Sequence, residues 1–416
     1  MADPAKRAGE DAPWLTPPWL TIVGLGEDGY EALSPPARAA LAQADVVIGP
    51  IRHLGLVLPH LTCPAHEWPV PFREGAARVM EWRGQRVVAL VSGDPFWFGA
   101  GSSLVAGLPS HEWIAHPAPS TFTLAAARLG WAIQDLVCLG LHAAPFARLR
   151  PHLAPGRRAL VLLRDGAAVG DLARWLTDLG FGASTLHALE ALGGPRERVR
   201  EGRADAFTLT DIAHPVAVGL SCAGSGPALA LTPGRDDALF ASDGQITKAP
   251  VRALTLAALA PRAGEHLWDI GAGSGSIGIE WLLAHPSTRA TAFETDPVRA
   301  ARARANAGAL GADRLTVIEG RAPACLPLGP SDPRPDAVFI GGGLSQALLD
   351  ALRAGLPAGT RLVANAVTLE SEVLLAQAQG LHGGSLLRIE LADAAPLGPR
   401  RGWKARYPIV QWSVTL

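Results

Sequence analysis

The stretch Leu267-Trp268-Asp269-Ile270-Gly271-Ala272-Gly273-Ser274-Gly275 decides the fold of the second half of this chain. Its apolar start has the length of a buried strand. Its alternating glycines make a loop, and an apolar helix is expected over Ser276–Ala284. Glycines let the backbone turn sharply and come close to a ligand, and the helix N-terminus beyond them offers free N–H donors. Glu294 ends the next expected strand, Ala290–Glu294, 23 residues after Gly271. A carboxylate at that place can accept hydrogen bonds from both hydroxyls of a nucleoside ribose.

Working outward, the same alternation extends to the end of the chain. Helices are expected over Pro250–Ala260 and Pro297–Leu310, and strands over His266–Ile270, Leu315–Glu319, Asp336–Ile340, Arg361–Ala364, Leu386–Leu391 and Ile409–Thr415. The first half repeats the pattern. Its strands are expected over Trp19–Val23, Asp45–Gly49, Arg86–Val91, Ala159–Leu163 and Val216–Cys222, with helices over Leu33–Ala44 and Leu172–Leu179. Alternating strands and helices mean α/β architecture with a mostly parallel sheet. Residues 224–243 are rich in Gly, Pro and Ser. The expected division is a disordered tail 1–18, a domain 19–223, a linker 224–241 and a second domain 242–416.

Composition excludes several functions. Lys plus Arg is 37 and Asp plus Glu is 38, a net charge of -1. Bulk nucleic-acid binding and a polybasic membrane anchor both need a basic surface, so no nucleic acid and no membrane partner is expected. Only Lys6, Lys248 and Lys404 are lysines and none follows a glycine, so the phosphate-loop signature GxxxxGK[ST] is absent. Cys63, Cys138, Cys222 and Cys325 form no CxxC pair and no disulfide framework, which fits a reducing compartment. The uncharged run 215–233 has the length of a membrane span, but Ser221, Gly224, Ser225, Gly226 and Pro227 at its centre make it a strand followed by a loop. A cytoplasmic protein is expected.

Two cofactors use the architecture of the opening stretch. Gly273, Gly275 and Gly278 satisfy the dinucleotide pattern GxGxxG, so NAD stands as one alternative. Against it, Asp269 precedes the first glycine and the frame GxGxG starts at the strand end, a combination that resembles class I S-adenosylmethionine-dependent methyltransferases. Asp269 would help satisfy the cofactor's ammonium, directly or through water. The segments from Val317 to Pro323 and from Asp336 to Gly342 stand where the third and fourth strands of such folds meet the adenine and the acceptor. No [DN]PP[YFW] tetrapeptide occurs, which disfavours methylation of exocyclic amino groups on nucleic-acid bases.

The first half carries three further segments, in order. They are Gly24-Leu25-Gly26-Glu27-Asp28-Gly29, the run Ser92-Gly93-Asp94-Pro95-Phe96-Trp97-Phe98-Gly99, and the run from Pro117 to Gly130 containing Ser120-Thr121. Together they resemble the tetrapyrrole (corrin/porphyrin) methylase family from about Trp19 to Cys222. Glu27-Asp28 stands where many members have Pro-Gly, so a contact made by that proline is in question. From about Ser242 the chain resembles the decarboxylating cobalamin-pathway methyltransferases, through Asp243-Gly244-Gln245-Ile246-Thr247-Lys248, Val251-Arg252 and the glycine loop. The two domains in this order resemble the fused precorrin C(5,15)-methyltransferase family.

That resemblance implies a tetrapyrrole-methylase-type domain followed by a class I, Rossmann-like methyltransferase domain. It implies two S-adenosylmethionines per chain and a tetrapyrrole substrate, methylated at carbon 5 by the first domain and at carbon 15 by the second. The second domain would also remove carbon dioxide from the carbon 12 acetate, giving precorrin-8X. Carried over residue by residue, cofactor contacts would be Gly93, Asp94, Trp97, Ser120 and Thr121, with Gly24 and Gly26 shaping the neighbouring loop. In the second domain they would be Thr247, Gly271, Ala272, Gly273, Ser274, Gly275, Glu294 and Ala322. A homo-oligomer is expected.

A sulfonium methyl is already activated and the acceptor carbons belong to an electron-rich system, so positioning in a water-poor cleft should supply most of the rate. No catalytic residue is assigned, and no GxSxG elbow is present. Substrate carboxylates suit the arginine fork, so Arg252, Arg321, Arg400, Arg401, Lys404 and Arg406 are candidates, with Asn365 for the acceptor side. Each has a plain alternative: a solvated basic loop near the C-terminus, and a turn cap at Asn365. His60, Cys63 and His66 are spaced three apart, but prolines break the segment and no fourth ligand is in view, so no metal is expected. His142 is read as a core histidine. Two rivals remain, an NAD(P)-dependent oxidoreductase and a cofactor-binding protein without turnover.

Overall fold

A computed structural model of the chain describes residues 18–69 and 72–416. The expected disordered tail lies outside the described residues, apart from Pro18. The chain divides into two compact units. One runs to Ala144 and resumes over Ala154–Pro227; the other comprises Pro145–Leu153 and Ala228–Leu416.

The N-terminal unit holds two sheets. The first contains β1 (Leu20–Leu25), β2 (Val46–Gly49), β3 (Ala65–Glu67), β4 (Val87–Ser92) and β5 (Trp113–His116), all parallel in the order β3-β2-β4-β1-β5. β1, β2 and β4 are nearly continuous apolar runs, as strands covered on both faces must be. The second sheet contains β6 (Val137–Gly140), β7 (Arg158–Leu163), β8 (Thr185–Glu190), β9 (Arg198–Arg203) and β10 (Val216–Ser221), in the order β6-β7-β10-β8-β9. Only β6 and β7 are parallel; β10 runs antiparallel to β7 and β8, and β8 to β9. The expectation of a mostly parallel sheet holds for the first sheet and is corrected for the second. β9 reads RVREGR, and no apolar run marks it, because it is an edge strand whose arginines serve the buried Glu190 on β8.

The C-terminal unit is built on a seven-stranded sheet. Its strands are β11 (His266–Ile270), β12 (Arg289–Glu294), β13 (Thr316–Glu319), β14 (Ala337–Ile340), β15 (Arg361–Ala366), β16 (Ser385–Ile389) and, after a hairpin of β17 (Ala392–Leu397) and β18 (Arg400–Ala405), β19 (Ile409–Thr415). The order is β13-β12-β11-β14-β15-β19-β16, parallel from β13 to β15, with β19 antiparallel to β15 and β16. The helix Ser276–Ala284 is buried from Ser276 to Leu282, Glu280 included. Trp268, Trp281 and Trp412 are packing residues of this core. The stretch 224–241, expected as a linker, is partly packed chain: Leu229 and Phe240 are buried with the Trp281 cluster, and Arg235 is buried beside Glu280.

Among the described residues, no helix is long and apolar enough to cross a membrane, and residues 216–221 of the uncharged run are strand. His60 stacks on Tyr30 and His66 lies against Trp82.

Candidate active sites

In an open α/β sheet, ligands bind beyond the carboxyl ends of the strands, where the strand order reverses. In the C-terminal unit that point lies between β11 and β14. A cavity of about 970 Å³ opens there. Gly271 is held at φ +71, and a Cβ on it would lie 2.5 Å from the Gly342 backbone nitrogen, so the loops after β11 and β14 pack backbone to backbone. Gly273, at φ +57, differs: its Cβ position faces the cavity, with the Gln245 carbonyl oxygen nearest at 3.8 Å.

Glu294 lines this cavity, and its carboxylate does local work first. It accepts N–H from Gly273 at 2.8 Å, Thr295 at 2.9 Å and Asp296 at 3.0 Å. One acid therefore ties the glycine loop to the end of β12 and keeps about one of its roughly four lone-pair positions for a ligand hydroxyl. Asp296 caps the next helix, Pro297–Ala309, by accepting N–H from Val298 and Arg299.

Thr247, Gly271, Ala272, Gly273, Ser274, Glu294, Arg321, Ala322 and Asn365 all line the cavity. Gly275 does not; it is the left-handed residue that starts the helix Ser276–Ala284. Asp269 lies deeper than the cavity wall. It is 1% exposed beneath the loop, and its Oδ2 accepts the Gly278 N–H at 2.9 Å. Burial pushes its carboxyl up to about 7, and the charge of Glu294 adds to this. It positions the loop without reaching the cavity wall.

Arg252, a substrate candidate in the sequence, is fully buried. Its guanidinium donates to Glu280 at 2.7 Å, to Asp237 at 3.1 Å and to the carbonyls of Thr247 and Arg235. It pins the Thr247 loop and cannot touch substrate. Arg400 and Arg401 stand on β18, as does Lys404; Arg406 follows it and pairs with Asp393 at 2.5 Å. None of the four lines the cavity, because the segment is a hairpin rather than a loop over the sheet. Gly341 and Gly342, in the segment expected to face the acceptor, are on the cavity wall, and so are Lys248, Arg299 and Gly343, which sequence reasoning did not assign to the site.

In the N-terminal unit a cavity of about 440 Å³ opens at the carboxyl ends of β1 and β4. Gly26, Gly93 and Thr121 line it. Gly24 lies just beneath, packed on the Gly93 carbonyl and the Ala118 nitrogen. Three expected contacts serve the backbone instead. Ser120 caps the helix Thr121–Leu129 through the Thr123 N–H at 3.1 Å, Asp94 accepts the Phe96 N–H at 2.8 Å, and Trp97 packs on Phe122. None of the three is on the wall.

The wall carries Glu27, from the first glycine segment, and residues the sequence did not single out, Arg52, Arg164 and His214; against its reading as a core residue, the exposed His142 lines it too. Glu27 pairs with Arg52 and, at 3.2 Å, with Arg196. The Glu27 position thus holds a half-buried ion pair. Arg52 also donates to Ser92 Oγ at 3.3 Å, and Ser92 meets His53 Nε2 at 3.3 Å. Burial, then the Arg52 charge, pulls His53 down to about 3, so this histidine is neutral. Only packing of β2, β4 and the β8–β10 region brings these residues together; no local pattern announces them.

Asp269 carries a pH prediction. Its folded-state value near 7 lies above the ordinary carboxyl value, so its contribution to stability is full below about pH 4 and is lost as pH rises through 7. Asp269→Asn keeps an acceptor for Gly278 and removes the ionisation. Its stability relative to wild type should therefore rise between about pH 5 and pH 8, by about 2–3 kcal/mol. Denaturant unfolding at both values checks this; an equal difference at both would show that Asp269 ionises freely.

Comparison with known proteins agrees with the two-part architecture. Residues 19–208 match the tetrapyrrole (corrin/porphyrin) methylase family and residues 238–416 the precorrin methyltransferase domain family. The precorrin-6Y C(5,15)-methyltransferase [decarboxylating] of a Sinorhizobium species is 49% identical over 97% of this chain and 98% of its own. That of Mycobacterium tuberculosis is 40% identical over 95% and 99%. The cobalt-precorrin-6B C(15)-methyltransferase (decarboxylating) of Salmonella typhi is 32% identical over 39% of this chain and 85% of its own.

Proposed function

The chain belongs to the precorrin-6Y C(5,15)-methyltransferase (decarboxylating) family, and from that premise we propose that its two cavities divide the family's chemistry between them. It is an S-adenosylmethionine-dependent methyltransferase of cobalamin biosynthesis that methylates and decarboxylates a precorrin. In the proposed division, the N-terminal unit methylates carbon 5. The C-terminal unit methylates carbon 15 and removes the carbon 12 carboxyl group, yielding precorrin-8X. One observation carries the proposal: each unit matches a different methylase family and has its own glycine-lined cavity at the carboxyl edge of a parallel sheet.

The C-terminal cavity fits the cofactor. Gly273 leaves its ligand side open where a Cβ would project, and Glu294 offers a carboxylate 7% exposed, positioned for a ribose. Thr247, the loop from Gly271 to Ser274, Glu294 and Ala322 would hold S-adenosylmethionine; in the other unit Gly26, Gly93 and Thr121 would. When bound, it supplies a methyl group already activated by the sulfonium. The chain's own residues orient and exclude water. Arg321 and Lys248 supply charge for substrate carboxylates on one wall, Arg52 and Arg164 on the other.

A cytoplasmic location, no nucleic-acid partner and a homo-oligomeric state complete the proposal. They are supported by the neutral charge balance and by exposed Leu397, Trp403 and Tyr407. The test is stoichiometry and product mass. Full-length protein should bind two S-adenosylhomocysteines by calorimetry, and with precorrin-6Y and cofactor should add two methyl groups and lose one carbon dioxide. A stoichiometry of one would overturn the two-site proposal.

A further inference from the structure

Asn365 and Gln411 face each other as register partners on β15 and β19, and Thr255, on the helix Ala249–Leu259, lies against both. Thr255 is fully buried and Gln411 is 4% exposed. The Thr255 hydroxyl donates to the Val251 carbonyl at 2.9 Å, so its oxygen has only acceptor capacity left. Asn365 must therefore present an N–H to it, at 2.9 Å, and its Oδ1 accepts from Gln411 Nε2 at 3.0 Å. Both ends of the amide are held and its orientation is forced. One N–H and one lone pair of Asn365 remain, and Asn365 lines the cavity.

Beside Asn365, just after β15 and on β19, the wall residues Val367, Thr368 and Ile409 are uncharged. Thr368 and Ser345, also on the wall, cap helices through the Ser371 and Leu348 N–H groups. The wall's cations stand on other elements. Arg299 holds Asp243 and Gln245, each at 2.8 Å, and the Lys248 ammonium is 3.7 Å from Asp237. Arg321 follows β13, four strand positions from β15, or roughly 19 Å at the usual spacing. The cavity thus offers charge for some carboxylates and, at Asn365, a fixed uncharged donor.

Loss of carbon dioxide needs that second kind of place. The bond from the acetate methylene to its carboxyl carbon breaks and carbon dioxide leaves. The electron pair passes into the conjugated macrocycle, and the methylene carbon then takes a proton from water to become methyl. Negative charge leaves the carboxylate on the way to the transition state, so a cation bound to it would stabilise the ground state more and slow the step. A neutral donor held rigidly can instead orient the carboxyl so that the breaking bond overlaps the conjugated system.

From this we infer that Asn365, locked by Thr255 and Gln411, holds the acetate that is lost, while the cationic wall holds carboxylates that are kept. The inference rests on assigning decarboxylation to the C-terminal unit. Full-length variants are given precorrin-6Y and S-adenosylmethionine, and products with and without the carboxyl group are separated by mass. Asn365→Ala should lower carbon dioxide loss relative to methyl addition by roughly tenfold to a hundredfold, the range of one hydrogen bond to a charged group. Thr255→Val, which leaves Asn365 in place but frees its amide, should shift the same ratio by a smaller factor. S-adenosylhomocysteine affinity of the C-terminal cavity, measured in parallel, should stay within about threefold of wild type, showing that the fold is kept. An unchanged ratio in Asn365→Ala, or equal loss of both chemistries, overturns the assignment. If wild type itself neither methylates nor decarboxylates the substrate, the underlying functional reading fails instead.

Discussion

Gly273→Val is expected to abolish carbon 15 methylation and carbon dioxide loss while the N-terminal unit still binds cofactor. Two effects combine. A β-branched residue at φ +57 is strained by roughly 1–2 kcal/mol relative to a right-handed conformation. Its side chain would also project into the cavity, where only the Gln245 carbonyl stands at the Cβ position. Gly271 is the poorer test, because its Cβ would collide with the Gly342 backbone and disturb the fold itself. Activity at carbon 15 should fall at least a hundredfold, by analogy with other close-approach glycines. S-adenosylhomocysteine stoichiometry should drop to one site per chain. Product masses showing carbon 15 methylation at wild-type rates would place the cofactor elsewhere.

Glu294→Ala should act on the same cavity by a different route. The carboxylate accepts three backbone N–H groups and offers its remaining capacity to the ribose. A hydrogen bond to a charged group is worth about 1.5–3 kcal/mol, so loss of the ligand contact alone predicts ten- to a hundredfold weaker binding. Releasing the Gly273 N–H loosens the loop that shapes the site, and the combined effect should reach about a hundredfold or more. Glu294→Gln, which retains one acceptor oxygen, should lose less than the alanine variant. Calorimetry with S-adenosylhomocysteine separates the cases, since the N-terminal affinity provides an internal reference. Unchanged affinity at the C-terminal cavity would remove Glu294 from the site.

The residues that proved hardest to read are those whose role depends on a partner distant in sequence. Arg252 and Asp269 both sit in motif segments, and nothing local distinguishes a side chain that reaches a ligand from one buried beneath the loop. The structure places Arg252 on Glu280 and Asp269 under the helix start. Ser120 and Asp94 have the same ambiguity: their oxygens satisfy neighbouring backbone N–H groups, the common alternative use of such residues at turns and helix starts. The basic stretch from Arg400 to Arg406 looked like a loop, yet it pairs with β17 as a hairpin, which directs it by strand geometry rather than by charge.

By itself the sequence determined the strand-loop-helix of residues 267–284, the acid at the end of β12 and the succession of two unlike α/β halves. These follow from short-range physics: apolar runs of strand length, glycines at turns and helix periodicity all act within a few residues. Only the tertiary structure decided the mixed, mainly antiparallel second sheet, the Glu27–Arg52 pair on the N-terminal cavity and the Asn365–Gln411–Thr255 lock. Each depends on which strands become neighbours. Thr255 and Gln411 are 156 residues apart, and their meeting is set by β19 inserting between β15 and β16, a choice made by the packing of the whole sheet and by no local signal.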